Sequence, residues 1–178
     1  MKLIAIFLLA LLLCDAVSAQ MKDENFLVGM PDGFKVGFQN KTPTSRITEL
    51  VPRHETVQDW SQMVTVQIYT GVPNLTPSKM YESMVALWAQ ACSGYNGINI
   101  SEGVENGYQT MTWLFVCPLL DTTGKPEATF FKVIQGQDAF YVAQRAFRYK
   151  PSNEETQAAL RYMQSIKACD SRVSARPC

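Results

Sequence analysis

Between residues 97 and 149 the chain offers four strand-like segments in succession. They read GINISEGVENG, YQTMTWLFVCP, EATFFKVIQG and AFYVAQRAFRY, and they are separated only by short turns rich in Gly and Pro. The most explicit turn is DTTGKP at 121–126. Connections this short leave no room for a crossover, so the four segments must pair as consecutive antiparallel neighbours. In the last of them Phe140, Val142 and Ala146 alternate with Tyr141, Ala143, Arg145 and Phe147. Both faces are partly apolar, as expected of a strand covered on both sides.

The covers are also legible. In LTPSKMYESMVALWAQACSG, Thr76 suits a helix N-cap and Pro77 the first helical position. Met80, Met84, Leu87, Trp88 and Ala91 recur at helical spacing before Gly94 ends the element. SNEETQAALRYMQSIKACD reads as a second helix. Ser152 and Glu155 form a capping box, and Ala159, Tyr162, Met163 and Ile166 form the apolar stripe. Upstream, GFKVGFQ and RITELVP flank the turn NKTPTS, and a further strand begins at Met63, with Val64, Val66 and Ile68 on one face. The expectation is an α+β fold, an antiparallel sheet of about five to seven strands covered by two main helices.

The first 19 residues are set apart. MKLIAIFLLALLLCDAVSA has a basic start, an apolar run too short to span a bilayer and a small-residue ending, the pattern of a secretory signal cleaved before Gln20. Lipidation at Cys14 is the less favoured alternative, because Leu13 is a poor small residue before it. Removing Lys2 and Asp15 takes the 16 basic and 16 acidic residues to 15 of each, so net charge stays at zero. No basic stripe invites nucleic acid. The organisation expected is a signal at 1–19, a short leader with little structure at 20–32, one domain at 33–170 and a tail at 171–178. An exported chain, periplasmic or extracellular, with Cys92, Cys117, Cys169 and Cys178 remaining reads as one with two disulfides. Cys92–Cys117 and Cys169–Cys178 are the favoured pairs, each close in sequence.

LVPRHETVQDWSQMVTVQIY, a hairpin and a Trp-containing stretch before the first long helix, resembles the opening of the Mog1 and PsbP-like α/β/α sandwiches. The resemblance covers roughly 30–168. It implies a central antiparallel sheet between helices and no shared catalytic site, in a group that includes photosystem accessory proteins, a nuclear transport factor and bacterial proteins.

Chemistry is sparse. His54 is the single histidine and stands in a polar loop; no nucleophile elbow, phosphate loop or metal-ligand spacing accompanies it. Glu102, Glu105, Asp121, Glu127 and Asp138 gather near predicted strand ends, but no pair has a spacing that demands acid–base work. The residues with recognition potential are Lys132, Tyr141, Arg145 and Arg148. Arg145 shares a strand face with Tyr141, and a covered arginine needs a partner or a water-filled mouth. The reading is an exported, non-enzymatic binding or accessory protein that needs no cofactor, with a protein as the favoured partner. The alternatives are a small-molecule or lipid carrier with a cavity beside the Met-rich helix, and a hydrolase using acidic loop residues.

Overall fold

The computed structural model describes residues 21–178. The signal, its cleavage point and Cys14 lie outside the described residues. Seven strands form one antiparallel sheet: β2 (Phe34–Lys41), β3 (Ser45–Pro52), β4 (Gln62–Tyr69), β5 (Asn96–Glu105), β6 (Tyr108–Leu120), β7 (Lys125–Gln135) and β8 (Phe140–Phe147). Their spatial order is β2-β3-β4-β8-β7-β6-β5. The last four are the meander that short turns demand. Asn106 and Gly107 adopt positive φ of 48° and 76°, which tightens the β5–β6 turn to two residues.

Helix α1 (Pro77–Ala91) carries the chain from β4 to the far edge of the sheet, and α2 (Asn153–Ser165) lies on the opposite face. Thr76 Oγ1 accepts the Lys79 N–H at the start of α1, and both halves of the Ser152–Glu155 capping box are made at α2. On the α1 face Trp113 and Phe131 stack at 5.0 Å, with Phe115, Met80 and Trp88 packed against them. On the α2 face Phe130, Ala143 and Phe147 meet Ala159, Met163 and Ile166. The fold is α+β, with an antiparallel sheet between two helices.

Three details depart from the sequence expectations. Leu87 is 55 % exposed instead of joining the α1 stripe; at 100° per residue it points about 110° from the stripe of Tyr81, Met84, Val85 and Trp88 that meets the sheet. The segment before Phe34, expected to carry little structure, contains β1 (Glu24–Leu27). The end of the second helical pattern becomes β9 (Lys167–Asp170), the antiparallel partner of β1. This two-stranded ladder satisfies the backbone groups of both ends and lets Phe26 stack on Tyr141 at 4.8 Å.

The cysteines within bonding distance are Cys92 with Cys117 and Cys169 with Cys178. The first links the end of α1 to β6, and the second holds the tail to β9.

Candidate functional site

The four recognition candidates separate once folded. Lys132, on β7, is buried and donates to Glu105 of β5 at 2.5 Å. Tyr141, on β8, donates its hydroxyl to Glu24 at 2.8 Å. Glu24 also accepts the backbone N–H groups of Gln137 and Asp138, so its carboxylate fills the β7–β8 turn. A Cβ at Gly136 would collide with that carboxylate and with the Ala139 carbonyl, which accounts for glycine there. Burial, reinforced by the hydrogen bond to Glu24, pushes the Tyr141 hydroxyl far above the ordinary tyrosine value. Arg148 stacks on Trp60 with its guanidinium 3.9 Å from the ring centroid, away from the other three. An anion pocket shared by Arg145, Tyr141 and Lys132 is therefore not what the fold builds, because Glu24 and Glu105 already occupy the latter two.

Arg145 is different. Its guanidinium lies over the rings of Phe34 and Phe147, 4.7 and 5.0 Å from their centroids. Its Nη2 donates to Gln62 Oε1. A relay continues from there: Gln62 Nε2 donates to Tyr149 Oη at 2.6 Å, and Tyr149 Oη donates to Glu155 Oε1 at 2.6 Å. Glu155 Oε2 accepts the Ser152 N–H that closes the capping box. The hydrogen bond from Tyr149 draws the Glu155 carboxyl below its ordinary value, while burial and Glu155 lift Tyr149 to about 12. Burial lowers the Arg145 value, although a guanidinium stays charged throughout the physiological range. Among the described residues Arg145 forms no ion pair, and its buried Nη1 has no hydrogen-bond partner.

Beside Arg145 opens a cavity of about 190 Å³, walled by Pro31, Phe147, Ala158, Ala159 and Tyr162 with Gln62 and Glu155. A second concavity shares this sheet face. From α2, Tyr162 packs against the buried cluster of Phe34, Leu50 and Val64 on β2 to β4; beyond it Val28, Met30, Val36, Leu50, Val66 and Ile68 form an open apolar groove of about 270 Å³ with Arg46 among its walls. Val36, Leu50, Val64 and Arg145 fall in one cross-strand row, which relates groove to pocket. The strap from Val28 to Pro31 runs between the two, and Tyr162 Oη holds it by donating to the Gly29 carbonyl at 2.7 Å.

The space beneath the Met-rich helix is occupied. Trp88 lies 5.3 Å from Phe115 and Tyr81 5.3 Å from Trp113, so aromatic rings fill the space a carrier cavity would need. The acidic loop residues do not converge either. Glu105 binds Lys132, Asp138 binds Arg172 at 2.7 Å, and Glu127 accepts the Thr129 hydroxyl. His54 is exposed. Among the described residues no group of three or more His, Cys, Asp or Glu is placed to hold a metal, and no helix is long and apolar enough to cross a membrane.

The bare groove escaped the sequence reading. Val36 was legible as a strand residue and Met30 as part of a polar leader. Only the side on which α2 stops leaves them together and uncovered.

No protein-family model matches the chain, and no curated protein matches it. Solved structures similar in arrangement include the following two. LpqN of Mycobacterium tuberculosis, described as involved in cell envelope biogenesis, is 14 % identical with a TM-score of 0.49, over 86 % of this chain and 87 % of that one. The Ran-binding protein Mog1p of Saccharomyces cerevisiae is 11 % identical with a TM-score of 0.44, over 80 % and 85 %. The resemblance to the Mog1 and PsbP-like arrangement is a weak one.

Proposed function

We infer that this chain is an exported, non-enzymatic binding or accessory protein that engages a protein partner through the groove beside α2. The partly uncovered apolar sheet face carries the reading: Met30 is 52 % and Val36 44 % exposed, in a concave wall with half-buried Val66 and Ile68 and the buried Leu50. Contiguous exposed apolar surface rimmed by polar residues is characteristic of association sites. Arg46 and Thr48 in the walls supply the polar contacts that orient a partner. Export is supported by the signal-like first 19 residues and by two cysteine pairs at bonding distance.

The test is crosslinked capture from the native exported fraction with wild type, Met30→Glu and Val36→Glu as baits. A specific partner held in stoichiometric amount by wild type and lost from both variants, with unfolding midpoints unchanged, is the expected result. Equal capture by all three would remove the groove from the reading. No specific partner for wild type, at a sensitivity set by a spiked control complex, would remove the binding function itself.

A further inference from the structure

We propose that β5 is the contact edge of a symmetric dimer, pairing antiparallel with β5 of a second copy so that the two sheets become one. This edge lies at the opposite end of the sheet from β2 and the groove, so the contact is independent of partner docking there.

The two edges of the sheet are not equivalent. β2 carries Lys35 and Lys41, charges that oppose the addition of a strand. β5 has β6 on one side, and all 10 of its residues are exposed. It contains no Lys, Arg or Pro, and Ile98, Ile100 and Val104 are exposed apolar side chains on it. An edge without such guards is a template for another strand.

The hairpin fixes which backbone groups are free. A two-residue turn makes its flanking pair, Glu105 and Tyr108, exchange hydrogen bonds. By alternation Thr110, Thr112 and Leu114 also turn their backbone groups toward β5, and the residues between them turn theirs toward β7. The β5 residues opposite those intervening positions are Val104, Glu102, Asn99 and Gly97, so their N–H and C=O groups point outward. The bulge at Ile100 places these four symmetrically about itself, and the same order of spacings is met from either end.

Side chains complete the match. Two copies related by a two-fold axis at the bulge set Gly97 of one against Val104 of the other, and Ile98 against Gly103, so a large side chain meets a glycine each time. Asn99 faces Glu102, and Asn96 faces Glu105, so each carboxylate meets an amide and no like charges oppose each other. This self-complementarity selects a second copy over a foreign strand. Other registers set a bulge against a regular stretch, and the far edge of each copy keeps its lysines, so the assembly closes at two.

Sedimentation of the mature protein from about 1 μM to 1 mM should show a monomer–dimer equilibrium, as suits a small strand-to-strand contact. Val104→Pro removes an outward N–H and spares the β5–β6 ladder; it should abolish the dimer. Asn99→Glu sets a carboxylate against Glu102 of the second copy and should raise Kd about tenfold, since symmetry makes the contact twice. Asn99→Lys sets a cation there and should lower Kd by a similar factor. Met30→Glu, in the groove, should change nothing. The proposal is overturned by a monomer at every concentration, by open-ended assemblies, by a dimer that Val104→Pro and Asn99→Glu leave intact, or by one that Met30→Glu dissolves. A monomer that captures an exported protein and loses it on Val104→Pro would give the edge to a foreign strand and overturn it likewise. If Val104→Pro fails to fold, the opposite signs of the two Asn99 variants, at an exposed position, decide.

Discussion

The two faces of the sheet are built to different specifications. Under α1 the interior is hydrocarbon and rings: Trp113, Phe115, Phe131, Val133 and Val142 are each no more than 2 % exposed, and Cys92–Cys117 links the helix end to β6. Under α2 there is a comparable apolar patch around Phe130, Phe147 and Met163, but the same face also holds two cations, Lys132 and Arg145, and then, beyond Tyr162, runs out of cover over β2 to β4. Dense apolar packing explains stability and little else. Polar groups retained in a mostly buried layer, and apolar ones left bare, are the observations that call for a functional account.

The contrast fails if both faces respond alike to truncation. Phe115→Ala removes a ring in contact with Tyr81, Trp88, Tyr95, Trp113 and Phe131, so urea unfolding should register a loss of about 3–5 kcal/mol. Val36→Ala in the bare groove should stay within about 0.5 kcal/mol. Equal losses would mean that the groove is packed in solution. Next in size, the Cys92→Ala/Cys117→Ala double variant should lose about 3 kcal/mol, since the pair closes a 25-residue separation, and the Cys169–Cys178 pair, with a separation of 9, should contribute less. A reversed order in equilibrium unfolding would show that the tail, not the helix anchor, restrains the unfolded chain.

The two cations sharpen the comparison within one face. Arg145→Ala opens a space between Phe34 and Phe147 and strands Gln62, and it should cost about 1–3 kcal/mol. Lys132→Met replaces a buried charge by a chain of similar length and frees Glu105, which is 45 % exposed and readily hydrated. That change should be near neutral or stabilising. Arg148→Ala falls between: its guanidinium lies on Trp60, and the change should cost about 0.5–1 kcal/mol. Thermal unfolding of the three variants ranks them; a Lys132→Met protein as damaged as Arg145→Ala would make the Lys132–Glu105 pair the structural keystone of this face.

Most of the architecture was legible because its signals are local. Short turns dictate the meander, period-2 alternation separates Phe140 from Tyr141, and both caps lie within four residues of their partners. The Asn106–Gly107 turn is written in the dipeptide itself. What could not be read depends on contacts distant in sequence. β1 and β9 are four-residue strands whose hydrophobic pattern is too short to register, and they exist through each other, 143 positions apart from Glu24 to Lys167 at their starts. Lys132, Tyr141 and Arg145 share one face, as alternation required. Which of them keeps a free donor was settled by Glu105 and Glu24, residues that no strand period links to them. The Gln62–Tyr149–Glu155 relay joins β4, the β8–α2 connection and α2, and leaves no trace in any one of them.

One glutamate on each face carries the contrast into its pH dependence, the smallest effect expected. Glu127, on the α1 side of β7, has its carboxyl value raised above the ordinary 4.5, chiefly by burial, with the Thr129 hydroxyl and Arg148 opposing. Glu155, at the start of α2, is lowered, chiefly by Tyr149. A raised carboxyl binds its proton more tightly folded than unfolded, so its contribution is fully present below about pH 4.5 and is lost as pH rises through the raised value. A lowered one behaves oppositely: its contribution is present above the ordinary value and disappears as pH falls through the lowered one. Glu127→Gln keeps an oxygen for Thr129 and removes the buried charge. It should raise stability at pH 7 by no more than about 0.5 kcal/mol, a gain that vanishes near pH 4.5. Glu155→Gln should lower stability at pH 7, with a deficit that narrows on acidification. Melting temperatures of both variants and wild type at pH 7 and 4.5 test the pair of signs. If both variants shift in the same direction at pH 7, the two faces do not hold their carboxylates in opposite environments.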